Sequence, residues 1–446
     1  MPFEIDKQTI NDLELFGTYK KDKSVFAIFD RTQSNGGKSL LNKMFDFPLT
    51  DIKSINDRQE AIIFFQQNQI SFEIDKNELD FVEHYLNTNT LSLYNVANAY
   101  YVKLKAKFQS DNNLYIVERG ISYTIDVLNS LSDFIENLSK SVMPAHLKEK
   151  NERAKEILQQ DDFERIKDIE TLRDLRTNEL PFFDNLFKRN QRKELRFLLD
   201  LYYEYDVYYS IAQRCNELRY IMPQILPQED NIIEIEGLCH PFLENPIKAS
   251  TLSFSTQKNL SFITGPNMAG KSTFLKSLGV AVFLSHIGFP VPANKMRISL
   301  RSGIATTINI TDDLSFGYSH FYSEVMRIKK VAQKIQANEN MLIIFDELFR
   351  GTNLKDAYDG TLAVISAFSE IRNCSFAIST HIVEVAEQLK GKDNLQFHYL
   401  DVDIIDGIPT YTYELKEGIS ECRLGMYIIN KENIIQTINS IKINKR

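Results

Sequence analysis

The chain reads as two folds in succession, an α-helical half followed by an α/β half with a mixed, largely parallel sheet. Three observations predict this. Up to about Leu226, apolar residues recur every three to four positions through long stretches with almost no glycine. Pro223 and Pro227, in MPQILPQEDN, then break that pattern. Beyond them, short continuous apolar runs alternate with turns and helical segments, the texture of buried parallel strands. The boundary is expected at 228/229, with a helical domain over 1–228 and an α/β domain over 229–446.

Bulk properties narrow the class. Of 446 residues, 43% are hydrophobic and 25% charged, the balance of a globular chain that buries a full core, which excludes a disordered or collagen-like chain. A net charge of −8 makes the chain a poor candidate for strong, sequence-blind nucleic-acid binding by bulk charge, so any DNA contact must come from a local patch or a ring formed by an oligomer. Cys215, Cys239, Cys374 and Cys422 form no C-x-x-C pair and read as reduced thiols, not as a zinc site or a disulfide framework. The N-terminus MPFEIDKQTINDLELF has no apolar core and no cleavage site, so it is not a signal peptide. The most apolar stretch, Leu278 to Ala293, is interrupted by Ser285, His286, Pro290 and Pro292 and reads as a buried helix. A cytoplasmic location with no membrane partner follows as the expectation.

In the first half, the runs from Tyr115 (YIVERGISYTIDVLNSLSDFIENLSKSVM) and from Leu195 (LRFLLDLYYEYDVYYSIAQRCNELRYIM) predict long helices of an extended, lever-like bundle. Leu195, Leu198, Leu199, Tyr202, Tyr205, Tyr209 and Ala212 fall on one stripe, which makes the tyrosines core residues and not a base-stacking platform. In the second half, Asn259–Gly265, Asn340–Leu348 and Ser375–His381 read as buried strands. Helices are expected near Lys271–His286, His320–Ala337, Asp359–Ile371 and Ile382–Gln388. The stretch HYLDVDIIDGIPTYTYELKEG reads as a hairpin turning at Asp406-Gly407.

The strongest chemical signal is Gly265-Pro266-Asn267-Met268-Ala269-Gly270-Lys271-Ser272-Thr273, which follows a strand and opens a helix. Its glycines let successive N–H groups point at phosphate oxygens, the helix N-terminus adds its positive end, and Lys271 neutralises β/γ charge. Ser272 is placed to ligate Mg²⁺. In Leu342-Ile343-Ile344-Phe345-Asp346-Glu347, a buried strand delivers two acids to the sheet edge where ligands bind. Asp346 is expected to hold Mg²⁺ through water, and Glu347 to orient and deprotonate the attacking water. Ser379-Thr380-His381 ends the next strand, with His381 as a γ-phosphate sensor or water-positioning group. ATP and Mg²⁺ are thus the expected ligands, with Lys271, Glu347 and His381 as the catalytic set.

These residues resemble the MutS family of DNA mismatch-repair ATPases. Thr264 to Thr273 match its T-G-P-N-M-x-G-K-S-T, with Ala269 where glycine is usual. Asp346-Glu347-Leu348-Phe349-Arg350-Gly351-Thr352 resembles D-E-x-x-R-G-T, and Thr380-His381 its T-H. Asp312-Asp313-Leu314, Gly317, Ser319, Phe321 and Glu324 follow D-D-L-x-x-G-x-S-x-F-x-x-E, and His240-Pro241 matches an H-P step. In the helical half, Phe29-Asp30-Arg31-Thr32, Gly37, Leu41, Pro48-Leu49, Asp51 and Arg58-Gln59 look like the opening of the family's core and lever domain, and Tyr205-Asp206 to Pro223 like the lever's final helix.

The resemblance implies an ABC-type P-loop ATPase domain behind a lever domain of the family's domain III type. It implies that Asn267 and Lys271 read the γ-phosphate and that Ser319 acts in trans in the partner subunit's site. ATP sandwiched between two subunits then makes a homodimer. The mismatch-binding and connector domains of the family's mismatch readers are expected to be missing, the clamp to be reduced or absent, and Ile247 stands where an aromatic often lies under the adenine. Lys188, Arg189, Arg192, Lys193 and Arg196 form the one basic cluster that could touch DNA near a lever tip; a solvated helix face is the alternative. The leading function is ATP hydrolysis coupled to clamping or release of DNA, related to mismatch repair. The alternative is an ATP-dependent dimeric switch acting on a protein partner, without DNA.

Overall fold

The computed structural model describes residues 2–17, 23–68, 70, 72, 75–88, 93–108, 112–166, 169, 175–243, 250–266, 268–308, 320–337, 339–349, 351–405, 408–420, 429 and 431–443. They fall into two compact units. One comprises Met1–Ala27, Phe47–Ile55 and Arg219–Arg446, the other Ile28–Asp46 and Asn56–Leu218.

The second unit is helical. It holds the helices Asn35–Asp46, Lys76–Asn87, Val96–Phe108, Asn112–Leu138, Ala145–Leu158 and Arg192–Leu218, and most of Ile52–Gln67. The stripe read from the sequence is the buried face of Arg192–Leu218, with Tyr209 half-buried, and Leu201, Tyr203, Val207, Tyr208 and Ile211 widen it. The tyrosines are core: the Phe72 ring meets Tyr202 edge-on at 5.1 Å, and Phe65 and Phe134 pack on Tyr205 at 5.8 and 5.6 Å. Asp206, fully buried, accepts hydrogen bonds from the Gln33 and Ser34 amides at 2.9 Å and from the Ser34 hydroxyl at 2.7 Å. Those bonds hold the chain where it enters Asn35–Asp46 and satisfy a carboxylate that burial would otherwise penalise.

The first unit carries two mixed sheets. In the larger, strands β4 (Leu260–Thr264), β6 (Gly303–Thr307), β7 (Met341–Asp346), β8 (Ser375–Ser379), β9 (Leu395–Ile405) and β10 (Ile408–Glu417) lie in the order β10-β9-β4-β8-β7-β6. Pairings from β9 across to β6 are parallel, and β10 closes the edge antiparallel to β9. The turn Asp406-Gly407 lies outside the described residues. The smaller sheet, absent from the sequence expectation, orders β1 (Gln224–Leu226), β5 (Lys295–Ser299), β2 (Ile233–Leu238) and β3 (Ser250–Phe254) as β1-β5-β2-β3, with only β1–β5 parallel. Every residue of β4, β7 and β8 is buried, which is why their sequences run apolar without alternation. Helices Lys271–His286, His320–Ala337, Leu354–Ser369 and Val383–Leu389 connect them. The third starts earlier than its periodicity suggests because Asn353 caps it, accepting the Asp356 amide.

The amino-terminal residues belong to this unit although their texture is helical and polar. Glu4 bridges in parallel to Gly303 at the free edge of β6, its amide donating to the Ser302 carbonyl at 2.8 Å and its carbonyl accepting from the Ile304 amide at 2.9 Å. The short helix Lys7–Asp12 continues the cover: the Thr306 amide donates to Thr9 Oγ1, and Asp12 accepts from the Thr306 hydroxyl and the Ile308 amide. An edge that would otherwise present unpaired amides is satisfied by side chains. Asp6 pairs with Arg327 at 2.5 Å and Lys334 at 3.0 Å, and Lys334 also reaches Glu4 at 2.5 Å.

Burial alone would raise the Asp6 pKa, but the Arg327 hydrogen bond, the Thr9 amide and the Arg327 charge outweigh it and hold the carboxyl well below the usual carboxylate range. A depressed folded-state pKa contributes stability that is fully present above the unfolded value of 3.8 and is lost as pH falls below it. Asp6→Asn is therefore expected to cost roughly 1–3 kcal/mol at neutral pH, with the difference from the unaltered chain narrowing below about pH 4. Urea unfolding at pH 7, 5 and 3 measures this; a pH-independent difference would contradict it.

Candidate nucleotide site

The parallel register aligns the carboxyl ends of three neighbouring strands. Asp346 of β7 stands opposite Ser379 of β8, and Ser379 opposite Ile263 of β4. The Glu347 amide donates to the Ser379 carbonyl, and the Thr380 amide to the Ile263 carbonyl, so the ladder continues one residue past the strands. The phosphate-loop sequence, the two acids and Thr380-His381 therefore emerge side by side at one sheet edge, where ligands of open α/β sheets bind.

The loop leaves β4 through Gly265 (φ 145°) and enters Lys271–His286 through Gly270 (φ 96°), backbone conformations that favour glycine. Space demands glycine too: a Cβ on Gly270 would lie 2.7 Å from the Tyr413 ring, and one on Gly265 3.1 Å from the Leu400 carbonyl oxygen. Met268 also has positive φ (70°) and points outward, while Ala269 is buried. Asn267 lies outside the described residues, as do Asp312, Asp313, Gly317, Ser319, Arg350, Ile247 and Cys422.

Lys271 is only 5% exposed. Its ammonium donates to the Gly265 and Pro266 carbonyls at 2.9 and 3.3 Å and sits 3.5 Å from Glu347 Oε1. The other Glu347 oxygen lies 3.5 Å from His381 Nδ1, with the imidazole half exposed. Glu347 adopts φ 54°, a left-handed conformation that costs a non-glycine residue on the order of 1 kcal/mol or more and turns its carboxylate toward the loop. Beside it, Asp346 accepts from the Ser272 hydroxyl at 2.5 Å and from the Ser379 hydroxyl. A hydroxyl and a carboxylate in contact form an all-oxygen pair suited to a hard divalent cation such as Mg²⁺. One carboxylate thus lies between an ammonium and an imidazole, and the other beside a hydroxyl at a helix N-terminus. This pattern can bind polyphosphate and activate water.

Two features were not singled out in the sequence. A cleft beside Gly270 is lined by His240, Leu243, Thr273, Phe274, Leu400 and Tyr413. Tyr413 reaches it because the β9–β10 register shifts between Tyr411 and Leu415, giving Tyr413 φ 53°. Burial, with the Lys276 charge beside it, lowers His240 to about 4, so the ring is neutral at physiological pH. The alternation Thr410-Tyr411-Thr412-Tyr413 signals a strand but not its bulge. Ser379 was visible only as part of the Ser-Thr-His step.

The basic cluster is largely engaged within its own unit. Lys188 pairs with Asp184 at 3.1 Å and lies over the Tyr85 ring, Arg189 stacks on Tyr94, and Arg196 bridges Glu83 and Asp200 at 2.8 and 2.9 Å. Arg192 and Lys193 are exposed. Among the described residues, no helix is long and apolar enough to cross a membrane.

Two family models match the chain: MutS domain III over residues 8–212 and MutS domain V over residues 261–442. Proteins called DNA mismatch repair protein MutS are similar to half of it. The one from Halalkalibacterium halodurans is 29% identical over 241 residues, 53% of this chain and 27% of its own length. Those from Petrotoga mobilis and Anaplasma phagocytophilum are 29% and 30% identical over 229 and 227 residues, 50% of this chain in each case. The aligned stretch spans 28% and 27% of their own length.

Gly270→Ala is expected to displace Tyr413 and the loop together. The readouts are a melting point lowered by several degrees and a change in the tyrosine near-ultraviolet circular dichroism. An unchanged melting point and spectrum would contradict the loop geometry.

Proposed function

The chain belongs to the MutS family, and from that premise we propose that it is a Mg²⁺-dependent ATPase that works as a homodimer and couples ATP hydrolysis to clamping or releasing DNA. The observation that carries this reading is the Glu347 carboxylate held between Lys271 and His381, one residue after Asp346 meets Ser272.

Each residue has a role. Lys271 exchanges the Gly265 and Pro266 carbonyls for β/γ-phosphate oxygens, and the loop from Gly265 to Thr273 lends its amides. Ser272, and Asp346 through water, would hold Mg²⁺, which would supply charge neutralisation to the triphosphate. Glu347 takes the proton of the attacking water, and His381 positions that water or senses the γ-phosphate. The cleft at His240, Phe274 and Tyr413 receives the base and ribose. Asn267 completes the γ-phosphate contacts, and Ser319 acts on the partner subunit's nucleotide. The lever-like helical unit transmits closure to DNA.

The relatives named above carry mismatch repair in their names, which favours DNA as the partner. The pairing of Lys188, Arg189 and Arg196 with their own neighbours favours the other reading, an ATP-driven switch on a protein partner. Binding to duplex, mismatched and branched DNA at graded salt, with and without ATP, separates them. Salt-dependent retention altered by ATP supports the DNA reading, and no retention on any DNA at low salt leaves the switch.

For the nucleotide site, Lys271→Ala is expected to weaken ATP binding more than tenfold, roughly one lost charge-assisted contact. Glu347→Gln should bind ATP as the unaltered chain does while phosphate release falls by about 10²-fold or more. Fluorescent-nucleotide titration and a phosphate-release assay measure the two. Turnover of Glu347→Gln at the unaltered rate would refute the base assignment.

A further inference from the structure

In the helical unit, a second group of ligand-type side chains lies apart from any residue assigned to nucleotide. We propose that Asp57, Glu60 and His146 form a binding site for a first-row divalent transition-metal ion of the zinc class. One carboxylate oxygen from Asp57, one from Glu60 and one ring nitrogen of His146 all lie within 4.8 Å of one another.

The placement follows from helical geometry. Asp57 and Glu60 are three residues apart on Ile52–Gln67, so their carboxylates project from one face. His146 sits in the first turn of Ala145–Leu158 and faces them. Its Nδ1 is 3.6 Å from Asp57 Oδ1, too long for a hydrogen bond. Both ring nitrogens are buried, and among the described residues neither has a hydrogen-bond partner. Ring nitrogens shielded from water and left unsatisfied are costly, and metal coordination is a common way to use such a lone pair.

The dimensions fit after a small contraction. An ion about 2.0–2.2 Å from each of three tetrahedral ligands separates them by about 3.3 Å. Drawing the three atoms in from 4.8 Å is a contraction of about 1 Å or a little more, and Glu60, the ligand to move, is exposed. Its exposed side also leaves open positions for water. The charge balance favours a cation. The Lys150 ammonium, one turn from His146, is clamped by both Glu204 oxygens at 2.7 Å, and the nearby Arg58 interacts with Glu204 and Tyr208. Against these two cations stand the three carboxylates of Asp57, Glu60 and Glu204.

Donor chemistry sets the class. One imidazole with two carboxylates suits zinc, cobalt, nickel, manganese or iron, whereas magnesium and calcium take oxygen ligands alone. The site needs no thiol, which separates it from Cys215, Cys239 and Cys374.

The test uses the full chain, stripped with chelator, free of nucleotide and kept in excess Mg²⁺ so that all-oxygen sites are filled. Zn²⁺ is titrated calorimetrically, and Co²⁺ by its visible absorption. One ion per chain is expected, undisplaced by Mg²⁺, with a raised melting point. Asp57→Asn with Glu60→Gln, and separately His146→Gln, should each weaken binding more than about tenfold while leaving ATP binding unchanged. Should His146→Gln fail to fold, the carboxylate pair still decides. Absence of Zn²⁺ binding by the unaltered chain, or undiminished affinity in the carboxylate variant, overturns the proposal.

Discussion

The functional architecture of the α/β unit depends on one constraint, the parallel register that sets Asp346 opposite Ser379 and Ser379 opposite Ile263. Slide one strand by a single residue and every side chain changes face. Asp346 would then lose the Ser379 hydroxyl, and Glu347 would no longer meet Lys271. What fixes the register is burial: no residue of β4, β7 or β8 is exposed, so any slip places polar groups among the apolar side chains of the core.

Covering the sheet edge is the second requirement. Glu4, Thr9 and Asp12 satisfy the backbone of β6 and its continuation, and Asp6 anchors the same segment to helix His320–Ala337 through Arg327. Glu14 meets Lys276 on Lys271–His286 at 2.9 Å. The first residues of the chain therefore tie the helix that begins at the phosphate loop to the helix that follows residues 309–319.

Much of this was legible in the sequence because the signals were local. A glycine-bounded loop between a strand and a helix, and an apolar run ending in two acids, each carry their structural context within a dozen residues. The stripe from Leu195 to Ala212 announced its buried face in the same way. What was not legible is long-range. The packing of residues 1–27 on the α/β unit rests on side-chain bonds to positions some three hundred residues away, for example Thr306 Oγ1 to Asp12, separated by 294 positions. The bulge that turns Tyr413 over Gly270, and the meeting of Asp57, Glu60 and His146, likewise depend on how elements pair, which periodicity does not encode.

The central claim is that the loop amides, Lys271 and the Ser272–Asp346 pair together hold a magnesium-bound triphosphate. Calorimetric titration of the purified chain with ATP, in the presence and absence of Mg²⁺, tests it most directly, with Asp346→Asn as the comparison. One site per chain whose affinity rises with Mg²⁺, and loses that gain in the variant, is the result the geometry requires. No nucleotide uptake, or uptake indifferent to both the metal and Asp346, would contradict it.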